Sequence, residues 1–322
     1  MRTIHGTARH AGGGGLDPAR FRNPVVTVGV FDGVHRGHRA VLARTREMAA
    51  RRNGEVVVLT FDVHPREVTT GAPPPLITSL GHRLLLLGRE GVDVTVVLRF
   101  DEALRETPAE TFVEDVLLGG IGAVGVVLGH DSHFGHQRRG DAALLRRMLE
   151  PRGIPVESTA PVTLSDGTVV SSSAIRAAVA AGDLAAAARL LGRPPALFGS
   201  VVRGDGRGHE LGFPTANLDM RHELRPGRGV YGAKTTLDGV TWPAVVNIGG
   251  RPTFTPEEDE DTVEVHVIGW SGDLYGQDIE VTLFDKLRDE ARFDGAAALR
   301  DQITRDCLDL LARLRERGWS LV

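Results

Sequence analysis

Four apolar runs in the first half of the chain, "PVVTVGVF" from Pro24, "EVVVLTF" from Glu55, "DVTVVLRF" from Asp93 and "AVGVVLG" from Ala123, show little alternation of polar and apolar residues. A strand with one wet face alternates; a strand apolar on both faces must be covered on both. The stretches between the runs have helical spacing. In "RAVLARTREMAARR", Val41, Leu42, Thr45, Met48 and Ala49 fall on one stripe at i, i+1, i+4, i+7 and i+8. Such strands, alternating with helices, predict a doubly wound α/β domain built on a parallel sheet.

The pattern changes after an Ala-rich section in which Asp183 suits a helix N-cap, Gly192 a helix end and Pro194-Pro195 a stop. Beyond it come short strands, "GVYGAKTTL", "WPAVVNIG", "TVEVHVIG" and "DIEVTLF", separated by turn residues. They predict a small antiparallel β-barrel. Near the end, Leu299, Ile303, Cys307, Leu310, Leu311 and Leu314 share one stripe, so a C-terminal amphipathic helix is expected to pack on the barrel. The expected organisation is a flexible leader over residues 1–20 containing Gly12 to Gly15, an α/β domain over 21–190 and a barrel domain over 196–322. Thr255 to Thr262, "TPEEDEDT", is expected to be an exposed acidic loop.

A chain of 322 residues is about right for two domains. Its 38 Lys plus Arg against 42 Asp plus Glu give a net charge of -4, which argues against nucleic acid as a partner while leaving room for small anionic ligands. The single cysteine, Cys307, excludes an internal disulfide and a cysteine-based metal site. No apolar stretch is long enough to span a membrane, and the first residues lack the apolar core of a secretory signal. A cytoplasmic protein is expected.

The most informative stretch is "VGVFDGVHRGHRAV", Val28 to Val41. A strand over Val25 to Val30 would deliver Phe31, Asp32 and Gly33 to the carboxyl edge of the sheet, where open α/β folds bind ligands. A helix starting near Arg36 would aim its free N–H groups at the same place. Gly33 and Gly37 allow close approach of backbone to a ligand. His35 and His38 would then stand beside an anion site and could donate hydrogen bonds to phosphate oxygens. The plainer reading is a pair of exposed loop residues. A metal is less favoured, since no third ligand lies nearby.

H-x-G-H after a first strand resembles the signature of the nucleotidylyltransferase superfamily, with its Rossmann-like fold. The longer "GVFDGVHRGH" resembles the prokaryotic bifunctional riboflavin kinase/FMN adenylyltransferases, also called FAD synthetases. "LTFDVHPREV", "VSSSAIR", "LGFPTANL", "NIGGRPTF" and "LRDEARF" resemble further motifs of that family in the same order, from about Val25 to the last helix. The resemblance implies that the first half transfers AMP from ATP to FMN, with Mg²⁺, and that His35 and His38 offset charge on the leaving pyrophosphate. It implies nucleotide contacts from Gly29, Phe31, Asp32 and Gly33, and from Ser171, Ser172 and Arg176. The serines at a helix start could instead be capping residues. It further implies flavin contacts from Phe61, His64, Arg66 and Asp131.

One stretch departs from the family pattern. In "GHDSHFGHQRRGD", Asp131, Phe134, Gly135, Arg139 and Asp141 fit, whereas His130, Ser132 and His133 do not. Ser132 in place of an aromatic removes stacking area beside a flat ring. Val63 is a smaller deviation, and His209 replaces a usual arginine.

In the second half, "GDGRGHELGFPTANL" joins a glycine-rich turn, with Gly204 and Gly208, to a Thr-x-Asn pair. Thr215 and Asn217 alternate on an extended segment, so both point to one side, and their hard oxygens suit Mg²⁺ on ATP phosphates. In "TVEVHVIG" the valines alternate with Glu264 and His266; if the valines face the core, Glu264 faces a cleft or water. The resemblance implies that Thr215 and Asn217 hold the metal. It makes Glu264 the general base on the riboflavin 5′-hydroxyl, and Arg288, Glu290 and Phe293 part of a flavin-binding flap. The favoured function is FAD biosynthesis, from riboflavin to FMN in the barrel and from FMN to FAD in the α/β domain. Two alternatives stay open: a kinase whose first half has weakened or accepts a different flavin phosphate, and a non-enzymatic flavin-binding paralogue.

Overall fold

In the computed structural model, which describes residues 1–7, 16–204, 208, 211–220, 223–250 and 261–319, the four apolar runs form β2 (Val25–Val28), β3 (Val56–Phe61), β4 (Val94–Leu98) and β5 (Gly125–Leu128). Every residue of these strands is buried, as non-alternating strands must be. They lie in a parallel six-stranded sheet of order β1-β4-β3-β2-β5-β6, edged by β1 (Arg2–Gly6) and β6 (Val156–Ser158). The crossovers are α1 (Arg36–Arg51), α2 (Pro65–Thr70) with α3 (Leu80–Arg89), α4 (Glu102–Arg105) with α5 (Ala109–Thr111), and α6 (Ala142–Leu149). A π-helix carries α5 on to Ile121. The buried residues of α1 are Val41, Leu42, Thr45, Met48 and Ala49, the five of the predicted stripe.

The leader expectation needs correction at its start. Residues 2–6 are a strand, paired with β4 from Arg2↔Val94 to Gly6↔Leu98. Only Ile4 of this strand is buried, so an edge strand with one core residue leaves no periodic signal in sequence. Gly12 to Gly15 lie outside the described residues. β2 also stops at Val28, two residues earlier than expected, because the chain turns through a left-handed Phe31 at φ +54°.

The chain divides into two compact units, Met1–Ser172 and Ser173–Val322. The division falls inside α7 (Ser172–Ala180), ahead of α8 (Leu184–Leu191), so the Ala-rich section groups with the second unit rather than closing the first. Leu184 supplies a reason: it packs in the barrel core. Asp183 caps α8 by accepting the Ala186 N–H, and Gly192 ends it at φ +78°.

Six antiparallel strands make up the second unit's barrel: β7 (Ala196–Val202), β8 (Ala216–Asp219), β9 (Gly229–Leu237), β10 (Val240–Gly250), β11 (Asp261–Val267) and β12 (Asp278–Arg288). They close in the order β10-β11-β8-β7-β12-β9 around Tyr231, Val246, Ile248, Val263, Val265 and Val281. The last helix, α9 (Ala296–Glu316), lays Cys307, Leu310 and Leu314 against Val230 and Val245. Most of the expected acidic loop, residues 255–260, lies outside the described residues; Asp261 and Thr262 open β11.

Candidate active sites

β2 is the strand at which the sheet order reverses: its sequence successor β3 lies on one side and β5 on the other. The carboxyl ends of β2 and β5 are therefore the crevice where a doubly wound sheet takes its ligand. Out of β2 comes the loop holding His35 and His38. Its conformation is set by a buried carboxylate. Asp32, 3% exposed, accepts the N–H groups of Ile77 and Thr78 at 2.9 Å each, and the Thr78 hydroxyl accepts the Gly33 N–H at 2.9 Å. Gly29 donates to the Leu59 carbonyl and lies under the Phe31 ring. Gly33, at φ +85°, turns the chain into α1.

His35 is the N-cap of α1. Its Nδ1 accepts the His38 N–H at 3.3 Å, and the two imidazoles stack with centroids 3.7 Å apart. Gly37 makes the cap possible, since a Cβ there would stand 3.0 Å from the His35 ring. A neutral imidazole that accepts at Nδ1 carries its proton on Nε2, so His35 presents a donor there. At the far end of the unit, the Ser172 hydroxyl donates to the Asp32 carbonyl at 3.2 Å, tying Ser172 to the same loop, with Ser171 half-buried just ahead of it. Arg176 lies on α7 in the second unit.

The expected flavin residues of the first unit separate into two kinds. His64, which caps α2 by accepting the Arg66 N–H at 3.1 Å, and the exposed Arg66 leave β3 at the sheet's carboxyl edge. Phe61 instead turns to the core, edge-on to Phe100 at 5.2 Å. The β5 loop resolves its departures from the family. Phe134 is a core residue, Gly140 sits beneath its ring, and Asp141 caps α6 through the Leu144 N–H at 2.8 Å. The matched Phe134 and Asp141 thus serve the fold. His130, Asp131 and His133 lie in an exposed turn and Ser132 is half-buried, so the deviations fall where no core constrains them.

In the second unit the glycine-rich turn and the Thr-x-Asn pair are one object. A Cβ on Gly204 would overlap the Asn217 amide, and a Cβ on Gly208 would stand 2.9 Å from Thr215 Oγ1. Only glycine fits against these two side chains. Asn217 is the register partner of Glu264, and Glu264 in turn of Asn247. Directly opposed residues project from the same face of a sheet. The row Asn217, Glu264, Asn247 thus faces away from the core that takes Val263 and Val265. This hydroxyl- and amide-rich donor set, with a carboxylate beside it, fits a hard divalent cation and its phosphates.

Two further residues here were given no site role from the sequence. Asn247 interrupts the apolar run of β10, itself a signal in a strand. His266 donates its Nδ1–H to the Pro214 carbonyl at 2.9 Å, immediately before Thr215, and meets Phe213 edge-on at 5.3 Å. Of the expected flap residues, Glu290 lies over Gly249, where a Cβ would come within 2.5 Å of its carboxylate. Arg288 stacks at 5.5 Å over Phe293 and is paired with Asp306 of α9. His209 lies outside the described residues.

Among the described residues no helix is long and apolar enough to cross a membrane. Residues 17–174 match the family model for FAD synthetase, and residues 191–314 match that for riboflavin kinase. The bifunctional riboflavin kinase/FMN adenylyltransferase of Pseudomonas fluorescens is 40% identical over 88% of this chain and 91% of its own length. That of Escherichia coli K12 is 40% identical over 92% and 94%. A crystal structure described as a macrolide-efflux protein from Streptococcus pneumoniae superposes with a TM-score of 0.78 at 28% identity, covering 99% of this chain and all of that one. With both halves matched in order and at this identity, the chain belongs to the bifunctional riboflavin kinase/FMN adenylyltransferase family.

Proposed function

We propose that this chain makes FAD from riboflavin in two ATP-dependent steps, one in each unit. The observation that carries the reading is the register row of the barrel, which sets a candidate base, Glu264, directly beside Asn217 of the Thr-x-Asn pair.

In the second unit, Glu264 takes the proton of the riboflavin 5′-hydroxyl as that oxygen bonds to the γ-phosphorus of ATP and ADP departs. Thr215 and Asn217 would hold Mg²⁺ on the nucleotide phosphates; the ion, when bound, neutralises charge on the transferring group. Gly204 and Gly208 give the phosphates access to backbone N–H groups. Glu290 and Phe293 border the flavin.

In the first unit, a phosphate oxygen of FMN bonds to the α-phosphorus of ATP, and pyrophosphate leaves. No side chain needs to form a covalent bond. The work is alignment of two phosphates and stabilisation of the leaving charge. His35 through Nε2–H, and His38 beside it, donate to the departing oxygens, while Gly29, Phe31, Asp32 and Gly33 shape the loop beneath them. His64, Arg66 and Asp131 belong to the flavin side. Its substrates are riboflavin, FMN and ATP, and the cytoplasm is its place of work.

Incubation with ATP, Mg²⁺ and riboflavin, followed by separation of flavins, tests both steps at once. FMN followed by FAD is expected. FMN that accumulates without FAD would overturn the assignment of the first unit, and flavin binding without ATP consumption would overturn both.

A further inference from the structure

Arg83 of α3 belongs to no motif of the chain, yet among the described residues it is the only arginine or lysine that is buried, at 2% exposure. Removing a guanidinium from water is costly unless its surroundings repay it. Its Nη1 donates to the Val30 carbonyl at 2.6 Å and to the Thr60 hydroxyl at 3.1 Å, and that hydroxyl itself donates to Val30 at 3.1 Å. Nε has no hydrogen-bond partner among the described residues. Burial pushes the guanidinium below its ordinary range, while attraction to Asp32 and then Asp62 works the other way.

Val30 is the last residue before the loop folds through left-handed Phe31 to Asp32. The segment leading into α3 already holds the other side of that loop, through the Ile77 and Thr78 bonds to Asp32 and the Thr78 bond to Gly33. The loop carrying the two histidines is thus fastened at its start by Arg83 and at its middle by Ile77 and Thr78, all from one stretch of chain. A nonpolar side chain of similar length could fill the space. It could neither hold the Val30 carbonyl nor place an unscreened positive charge behind a loop facing phosphate.

We propose that Arg83 is a positioning residue for adenylyl transfer: by gripping Val30 it sets the loop that aims His35 and His38, and its charge favours the anion in front of them. The inference rests on the assignment of adenylyl transfer to the first unit. Because Arg83 acts through the loop, its loss is expected to lower kcat more than it raises KM for ATP.

The test is R83M and R83K in the full chain, with FMN and FAD formation measured in the same preparations. R83M is expected to lose at least tenfold in kcat for FAD formation, with less than a threefold change in KM for ATP and unchanged FMN formation. R83K, which keeps the charge and a donor, is expected to stay within threefold of the parent. R83M with parental kcat would overturn the proposal, as would R83K failing as badly as R83M. Should R83M not fold, R83K decides: a loss beyond tenfold with an unchanged melting temperature overturns the role. If the parent chain itself makes no FAD, the functional reading fails and takes this inference with it. Parental FAD formation combined with an indifferent R83M sinks Arg83 alone.

Discussion

Arg288 holds the carboxylate of Asp306 by a fork, with Nε 3.0 Å from both oxygens and Nη2 2.8 Å from Oδ2, while Gln302 donates to the same group at 2.8 Å. The terminal helix thereby fixes the end of β12 and, through the stacked Phe293, the expected flavin flap. Arg288 has most of its donors committed to the protein, so in the proposed flavin site its part would be to hold the flap. Asp306→Ala should cost about 3 kcal/mol, the low end for breaking a buried pair because Arg288 is partly exposed. Denaturant unfolding measures this, and KM for riboflavin should rise in parallel.

His38→Ala is expected to abolish FAD formation from FMN and leave FMN formation from riboflavin intact. His35→Ala should do the same and also lower the stability of the first unit by about 1 kcal/mol, because it removes the cap of α1. Product analysis and thermal melts of the two variants separate these effects. Loss of both activities in a folded protein would contradict the two-site assignment.

Glu264→Gln keeps the shape and register of β11 and removes the proposed base. Riboflavin phosphorylation should fall by roughly 10²- to 10⁴-fold, while adenylylation of supplied FMN persists. A variant that still phosphorylates at the parental rate would exclude Glu264 as base.

Gly204→Ala introduces a methyl where the Asn217 amide lies. Asn217 must move, so KM for ATP in the kinase reaction should rise about tenfold or more, which is the effect of a weakened binding contact worth ~1.4 kcal/mol. Gly239→Ala serves as the comparison, since nothing lies near a Cβ there although its φ of +80° brings backbone strain. Kinase kinetics of the pair tell apart displacement of Asn217 from strain at a left-handed glycine.

Burial, with the charge of Asp306 nearby, pushes the Cys307 thiol up to about 11. A raised thiol pKa keeps the reactive thiolate scarce below that pH, to about one part in a thousand at pH 8. Native protein should resist iodoacetamide at pH 8 and take up one equivalent on unfolding. Rapid labelling of the native chain, read by mass spectrometry, would contradict the packing of α9.

Much of this was legible in the sequence because burial writes itself into periodicity. The stripe of α1 and the alternating valines of β11 came through as predicted, since each position is apolar for a single geometric reason. The glycine turn and Thr-x-Asn pair were legible separately, but the steric fit joining Gly204 to Asn217 depends on two strands meeting. Arg83 was hidden by its residue type: a charged side chain on a helix reads as solvent-facing, and only the carbonyl of Val30 explains its burial. Phe61 illustrates the converse, since a core phenylalanine and a ring-stacking one are spelled alike, and its place in the core is read only from the structure.

β1 completes the sheet with the first handful of residues, so shortening the chain by six would strip β4 of its outer neighbour along its whole length. Any group fused directly ahead of Arg2 would abut this strand and press on the sheet it completes.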